Sequence, residues 1–123
     1  MDRKQMGDHG ERIAEGCLKQ MGMEILARNV RIGGGELDII ALDGDVVVIV
    51  EVKARSAPGE RPAQAVTRGK IRKISRAALA WLAQRGWLER EIRFDVVEVL
   101  DGGAQVRCEH TPSAFWFDAS VLS

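Results

Sequence analysis

The sequence predicts a single α/β domain in which a mixed β-sheet is flanked by helices, with elements in the order αβββαββ. Two segments carry apolar residues at helical spacing, and the other apolar segments are short and separated by glycine-containing turns. The length of 123 residues and the hydrophobic fraction of 46% suit one core. We therefore expect residues 1–123 to form one domain, with residues 111–123 as an aromatic C-terminal tail that packs over the core or joins a dimer interface.

The first half of the chain is predicted to begin with a helix and two strands. The helix is expected over Glu11–Gln20, with Asp8 as its N-cap, because apolar residues recur there with helical periodicity. Met23–Ile32 is predicted as a strand, and the glycines at 33–35 turn the chain into a second strand, Glu36–Leu42. These small turn residues are expected to leave room beside the acidic side chains of the strand that follows.

The remaining elements follow from the same signals. A third strand ends at Lys53, and the proline-containing stretch Ala54–Ala65 is predicted to be a loop. Thr67–Arg85 is predicted as a long helix, with Gly86 as its C-cap signal. Two strands complete the domain, at Glu91–Leu100 and at Ala104–Glu109.

The most informative pattern is a set of charges on the second and third strands, in which Glu36-x-Asp38 is followed, after twelve residues, by Glu51-x-Lys53. If Asp43-Gly44 closes a two-residue hairpin, Glu36 lies opposite Glu51 and Asp38 opposite Ile49. Side chains alternate between the two faces of a strand, so the four charges would project from one face, with opposed Cβ atoms about 5 Å apart.

Both strands are predicted to be buried, because the opposite face is apolar and the charged face itself becomes apolar towards the turn. The residues expected on the other face of the two strands are Leu37, Ile39, Ala41, Val46, Val48, Val50 and Val52. Those that continue the charged face are Ile40, Val47 and Ile49. The alternative is a solvated hairpin with ordinary cross-strand charge pairs, and the apolar continuation of the charged face argues against it.

Crowded carboxylates in such surroundings require either a bound proton or a neutralising cation. Carboxylate oxygens are hard ligands that favour Mg²⁺ or Mn²⁺. Lys53 could then position or help deprotonate an attacking water, or stabilise charge on a phosphoryl oxygen. The pattern therefore indicates metal-assisted phosphodiester hydrolysis.

The formal net charge of zero conceals a segregation of charge along the chain. Residues 53–76 contain eight basic residues and a single acid, Glu60. A basic stretch beside an acidic site would attract the phosphate backbone of a nucleic acid, although a solvated helix face is the alternative. The basic residues expected to bind nucleic acid are Arg55, Arg68, Lys70, Arg72, Lys73 and Arg76.

Other classes of protein are disfavoured by the sequence. There is no apolar run long enough to span a membrane, and Met1–Gly10 is polar, so we expect a cytoplasmic protein with no membrane partner. Cys17 and Cys108 are far apart in sequence and are expected to be reduced packing residues rather than zinc ligands or a disulfide. Neither His9 nor His110 has metal-ligand spacing.

Four segments together resemble the YraN family of bacterial proteins. They are Gly7-x-x-Gly10-Glu11, Gly35-Glu36-Leu37-Asp38-Ile39-Ile40, Val50-Glu51-Val52-Lys53-Ala54-Arg55 and Phe94-Asp95-Val96-Val97. That family in turn resembles the PD-(D/E)XK nuclease superfamily, and archaeal Holliday junction resolvases most closely. The resemblance implies a restriction-endonuclease-like core, a mixed sheet between helices.

The resemblance also implies roles for individual residues. Asp38, Glu51 and Lys53 match the superfamily's Asp, Glu and Lys, and Glu11 matches a helical acid that completes the metal site in the resolvases. The implied metal ligands are thus Asp38, Glu51 and Glu11. Glu36 is implied as an auxiliary acid. Apart from the resemblance, Gln64 and Thr67 follow the Glu-x-Lys motif near the start of the basic helix, and their position makes them candidates to orient water or phosphate.

Three functions remain open from the sequence. The first is a Mg²⁺- or Mn²⁺-dependent endonuclease that acts on DNA, including branched or otherwise structured DNA. The second is a nucleic-acid-binding module whose catalysis is silent or depends on a partner. The third is an interaction protein whose aromatic tail builds a homodimer or recruits a partner.

Overall fold

The computed structural model describes residues 3–55, 66–101 and 105–123. Its elements are α1 (Arg3–Gln20), β1 (Glu24–Ile32), β2 (Gly35–Asp43), β3 (Val46–Arg55), α2 (Arg68–Arg85), β4 (Ile92–Asp101), β5 (Val106–Phe115) and a short 3-10 helix (Ala119–Leu122). The predicted order αβββαββ is confirmed. The predicted loop after Lys53 falls mostly outside the described residues, as do the glycines that follow β4.

The five strands form one sheet in the order β1-β2-β3-β4-β5. Neighbouring strands are antiparallel, except for β3 and β4, which are parallel. Two parallel neighbours require a crossover connection, and α2 lies in the segment that supplies it. The sheet is therefore mixed, as predicted, and β3 is paired on both sides.

One helix covers each face of the sheet. Buried residues of α2, among them Ile74, Ala77 and Trp81, pack against β2, β3 and β4. Ala14 and Leu18 of α1 pack on the other face, in a cluster built largely from valines of β3 and β4. This double coverage explains why β3 is apolar on both faces along most of its length.

The hairpin between β2 and β3 differs from the predicted one by two residues in register. Gly44 and Asp45 form the turn, with Gly44 at φ 62°, and Asp43 pairs with Val46. The turn therefore lies one residue later than the predicted Asp43-Gly44, because the glycine occupies its first position. A shift of two residues preserves which side chains share a face.

The predicted alternation along β2 is wrong at Leu37. This side chain packs beneath α2 with Ile40, whereas Ile39 packs on the α1 face. Pairing between β2 and β3 extends only from the turn to Ile39 and Val50. Beyond that point the Asp38 carboxylate accepts a hydrogen bond from the Val52 backbone N–H at 2.9 Å.

Helix α1 begins well before the predicted start at Glu11. It includes Arg3–Gln20, so Asp8 lies inside the helix and is not its N-cap. The early turns were missed because they are polar and contain Gly7 and Gly10, which weaken helix propensity. Glu11 therefore lies near the middle of α1, too far from the helix N-terminus for a favourable interaction with the helix dipole.

Strand β5 continues to Phe115, whereas the sequence predicted an end at Glu109. Pro112 predicts the end of a strand, because proline cannot donate a backbone hydrogen bond. The structure accommodates it at a bulge, where the register of β4 and β5 shifts between Phe94 and Val96. Residues 111–115 of the expected tail thus belong to the sheet. Phe115 and Phe117 both stack on Phe94, with ring centroids 5.1 and 6.3 Å away.

The two cysteines form a disulfide, so the expectation of two reduced thiols is wrong. Cys17 lies on α1 and Cys108 on β5, and their Cα atoms are 6.6 Å apart. Their separation of 91 residues hid this pairing, which depends on the packing of α1 across the sheet. The bond covalently ties the first helix to the last strand. Within the described part of the chain, no helix has the length and apolar character needed to cross a bilayer.

Candidate functional site

An open cavity of about 730 Å³ lies between the β1–β2 turn, the strands β2 and β3, and the N-terminal half of α2. Its lining includes both acids and bases. The lining residues are Arg31, Ile32, Gly33, Gly34, Gly35, Glu36, Asp38, Glu51, Lys70, Lys73 and Ile74. The cavity thus brings together three of the acids predicted from sequence spacing.

Asp38 is the most strongly perturbed acid of this cavity. Burial raises its pKa to about 7, and the nearby charges of Glu51 and Glu11 act in the same direction. The hydrogen bond from the Val52 N–H opposes that rise only in part. Asp38 therefore titrates near neutral pH because it lies beside other acids in a poorly solvated place.

Glu51 is the buried centre of the cluster, with 4% of its surface exposed. The Lys53 Nζ lies 3.8 Å from its Oε1, as expected for two residues on one face of β3. The Lys70 Nζ lies closer still, 2.5 Å from the same oxygen. The sequence had assigned Lys70 to nucleic-acid binding, and the structure brings it into the acidic cluster.

The two lysines differ electrostatically. Burial lowers the pKa of Lys53, and the positive charge of Lys70 lowers it further. For Lys70, burial also opposes the charge, but the hydrogen bond and negative charge of Glu51 outweigh it and raise the pKa. Lys70 is thus held as a cation, whereas Lys53 is the lysine that gives up its proton more easily.

Glu11 and Glu36 occupy the edges of this cluster. Glu11 is buried on α1, and its charge contributes to the raised pKa of Asp38. Glu36 is exposed and lines the cavity beside Asp38. Within the described ranges, no three His, Cys, Asp or Glu side chains form a ready-made metal cluster. Asp38 and Glu51 nevertheless supply the hard oxygen donors that Mg²⁺ and Mn²⁺ prefer.

Gly35, the first residue of β2, makes room for α2 rather than for the acids themselves. A Cβ atom on Gly35 would lie 2.8 Å from the Lys73 carbonyl oxygen and 3.3 Å from the Ala77 Cβ. Only glycine permits this close approach of β2 to the backbone of α2. Because α2 lies so close, Lys70 can reach Glu51 from the first turn of the helix.

Thr67 stabilises the start of α2. Its Oγ1 accepts a hydrogen bond from the Lys70 N–H at 3.2 Å, which makes Thr67 the N-cap. This contact fixes the backbone of Lys70 relative to the preceding segment. Gly86 ends the helix as predicted, with φ 71°.

The exposed basic residues predicted to bind nucleic acid are on α2. Arg68, Arg72, Lys73 and Arg76 are all exposed, and Arg72 donates a hydrogen bond to the Ser120 Oγ at 3.1 Å. Arg31, which sequence reasoning missed, contributes a further positive charge to the cavity. Neither Gln64 nor the side chain of Arg55 belongs to the described residues.

Two acids of β4, Asp95 and Glu98, are buried. Glu98 is 5% exposed and lies beside Lys53 in the parallel register of β3 and β4. Asp95 is fully buried; its carboxylate accepts hydrogen bonds from Arg93 and the Ser113 N–H and lies 2.7 Å from the His110 Nε2. The sequence did carry a signal for this burial, because both acids lie in a strand whose other residues are largely apolar.

The family described as "Uncharacterised protein family UPF0102" matches residues 10–99, which include β1, β2, β3 and α2 in full and most of α1 and β4. The chain belongs to the UPF0102 family. The resemblance to YraN proteins is thereby confirmed at the family level. The matched range includes Glu11, Asp38, Glu51, Lys53 and Lys70.

Relatives from several bacteria are similar over most of their length. A UPF0102 protein of Geobacter metallireducens is 44% identical over 116 residues, which are 94% of this chain and 95% of the relative. One from Nitratidesulfovibrio vulgaris is 46% identical over 114 residues, covering 92% and 85% of the two chains. A third, from Nocardia farcinica, is 49% identical over 100 residues, covering 80% and 79%.

Proposed function

We propose that this UPF0102 protein is a metal-dependent endonuclease that hydrolyses phosphodiester bonds in DNA. The observation that carries the proposal is the pairing of Asp38 and Glu51 beside Lys53 in an open cavity, with the pKa of Asp38 raised to about 7. Perturbed acids in a cleft are typical of catalytic sites. The mixed sheet with a helix on each face is compatible with the restriction-endonuclease-like core that the motifs suggest.

Asp38 and Glu51 would hold Mg²⁺ or Mn²⁺, and Glu11 would support the site from α1. A metal bound there would polarise a phosphoryl oxygen and make a coordinated water more acidic. Lys53, whose pKa is lowered, would orient the attacking water or receive its proton. Glu36, at the exposed side of the cavity, would be an auxiliary acid.

The exposed basic residues of α2 support DNA as the substrate. Arg68, Lys73 and Arg76 are exposed on α2, the helix that borders the acidic cluster, and Lys73 and Arg31 line the cavity itself. Such charges would hold phosphates near an acidic site that would otherwise repel them. The resemblance to resolvases extends the proposal to branched DNA, where a two-fold junction would require a homodimer with two active sites.

A cleavage assay tests this proposal directly. Purified protein is incubated with Mg²⁺ or Mn²⁺ and labelled duplex, single-stranded, flap or four-way DNA. We expect metal-dependent cutting that falls at least about 100-fold in Asp38→Asn and in Lys53→Ala, in the range typical of catalytic groups. The control is Asp45→Asn, which changes an exposed acid at the hairpin turn. Equal cutting by all variants would identify a contaminating nuclease.

A second candidate function is a nucleic-acid-binding module with silent or partner-dependent catalysis. It is favoured by the contact of Lys70 with Glu51 and by the lack of a three-residue metal cluster in the described ranges. This function predicts salt-sensitive DNA binding without cleavage of any substrate in the panel. Metal-dependent cutting lost in Asp38→Asn would exclude it.

A further inference from the structure

Lys70 makes the closest contact with the acidic cluster. Its Nζ lies 2.5 Å from the Glu51 Oε1, and 45% of its side chain is exposed, against 5% for that of Glu51. The lysine thus reaches from the solvent side of the cavity to a buried carboxylate. A cation placed there neutralises the same oxygens that would bind a metal.

Two features of the fold place Lys70 beside Glu51. Its backbone N–H donates to the N-cap Thr67, and Gly35 allows the next turn of α2 to approach β2. Lys53 approaches the same Glu51 oxygen from β3, at 3.8 Å. Two ammonium groups therefore share one carboxylate oxygen, and Lys70 is the more exposed of the two, at 45% against 30%, so its ammonium has solvent to move into.

We propose that Lys70 is a built-in, displaceable cation that neutralises Glu51 in the metal-free site and must leave this carboxylate when a metal ion binds. The inference rests on the proposed function, since it concerns the same site. It goes further by assigning Lys70, on α2, as a positioning residue that sets metal affinity. A lysine outside the strands thereby controls when the acids are free to bind a metal.

Metal affinity tests this role without any measurement of cleavage. Mn²⁺ binding is measured by the loss of the free-ion electron paramagnetic resonance signal, in wild type and in Lys70→Met, Lys70→Arg and Lys73→Met. Lys70→Met should bind Mn²⁺ about three- to tenfold more tightly than wild type, because the competing charge is gone. Lys70→Arg keeps a cation and should stay near wild type.

Lys73→Met is the matched control, because it removes the same charge from the same cavity one helical turn later. Tighter binding in Lys70→Met but not in Lys73→Met supports displacement. Equal tightening in both variants, or none in either, overturns it. A result against displacement leaves the nuclease proposal intact, since Mn²⁺ can bind to Asp38 and Glu51 whether or not Lys70 competes with it. Displacement can equally hold in a protein that cuts no DNA.

Stability without metal gives a second readout. In a chelator, Lys70→Met should unfold at lower urea concentration than Lys73→Met, because Glu51 loses its nearest cation, and added Mn²⁺ should reverse the difference. Destabilisation that Mn²⁺ does not reverse would make Lys70 a purely structural partner of Glu51 and overturn the proposal. If Mn²⁺ binds to no variant, the displacement proposal and the metal site fall together.

Discussion

At the scale of single residues, Asp38 makes the stability of the metal-free protein depend on pH. Its pKa is about 7 in the folded chain, against 3.8 for the ordinary side chain, chiefly because of burial and then the charge of Glu51. Between these two values the folded state binds more protons than the unfolded state. Stability contributed at Asp38 therefore falls as pH rises from about 4 to about 7.

The first prediction is that Asp38→Asn removes the loss of stability that wild type shows as pH rises from about 4 to about 7. Relative to wild type, the variant should gain about 2 kcal/mol in the free energy of unfolding at pH 8 and almost nothing at pH 4, after allowance for solvent screening. Urea unfolding in a chelator measures the difference, with Asp45→Asn as the control. A difference that does not change with pH would show that Asp38 is not the titrating group.

Asp95 has the opposite electrostatic character. Burial would raise its pKa, but hydrogen bonds from Arg93, His110 and the Ser113 N–H outweigh burial and lower it. These contacts neutralise a carboxylate that is fully buried and hold the bulged part of β5 against β4. The network contributes stability that is present above the ordinary pKa of aspartate and is lost as pH falls through the lowered one.

The second prediction is that Asp95→Asn destabilises the protein by about 3 kcal/mol at pH 7.5, because Arg93 loses its bidentate partner. The difference from wild type should shrink under acid conditions, where Asp95 becomes protonated. Urea unfolding measures both values. Glu89→Gln, which alters an exposed acid before β4, should leave stability within about 0.5 kcal/mol of wild type. If Asp95→Asn destabilised the protein no more than Glu89→Gln, the hydrogen bonds of Asp95 would not stabilise the fold as proposed.

At the scale of secondary structure elements, the sequence predicted type and order better than length. Helix α2 and its Gly86 cap were predictable because its apolar periodicity and its C-cap residue agree. The start of α1 and the end of β5 were missed, because polar turns and Pro112 carry the local signals of other structures. Packing in the folded chain overrode those local preferences.

The approach of α2 to β2 gives the third prediction. Gly35→Ala should cost about 1–3 kcal/mol, because the added Cβ meets the backbone of α2, and it should weaken the contact of Lys70 with Glu51. Gly16→Ala, in an open position of α1, should instead stabilise by about 0.5–1 kcal/mol. Thermal or urea unfolding measures both. Equal effects of the two substitutions would show that the close approach is not required.

At the scale of the whole molecule, the acids and Lys53 were predictable from sequence spacing, whereas Lys70 and the cysteine pair were not. Alternation along β3 places Glu51 and Lys53 on one face, and an error of two residues in register does not change that. On β2 the alternation fails at Leu37, yet Glu36 and Asp38 still line the cavity. The contact of Lys70 with Glu51 depends on how α2 docks on the sheet. The disulfide depends on how α1 crosses β5, 91 residues further along the chain. Neither contact can be predicted from residues that are neighbours in the sequence.

The fourth prediction concerns the charge distribution of the whole chain. Because the formal net charge is zero, overall charge supplies no attraction to DNA, and we expect the attraction to come from locally clustered bases such as those of α2. Arg68→Gln combined with Arg76→Gln should weaken duplex DNA binding and reduce the slope of log affinity against log salt by about two. Arg12→Gln combined with Arg107→Gln removes the same charge from α1 and β5 and should leave the slope unchanged. Fluorescence anisotropy at several salt concentrations measures both, and equal slopes for the two double variants would contradict a DNA-binding face on α2.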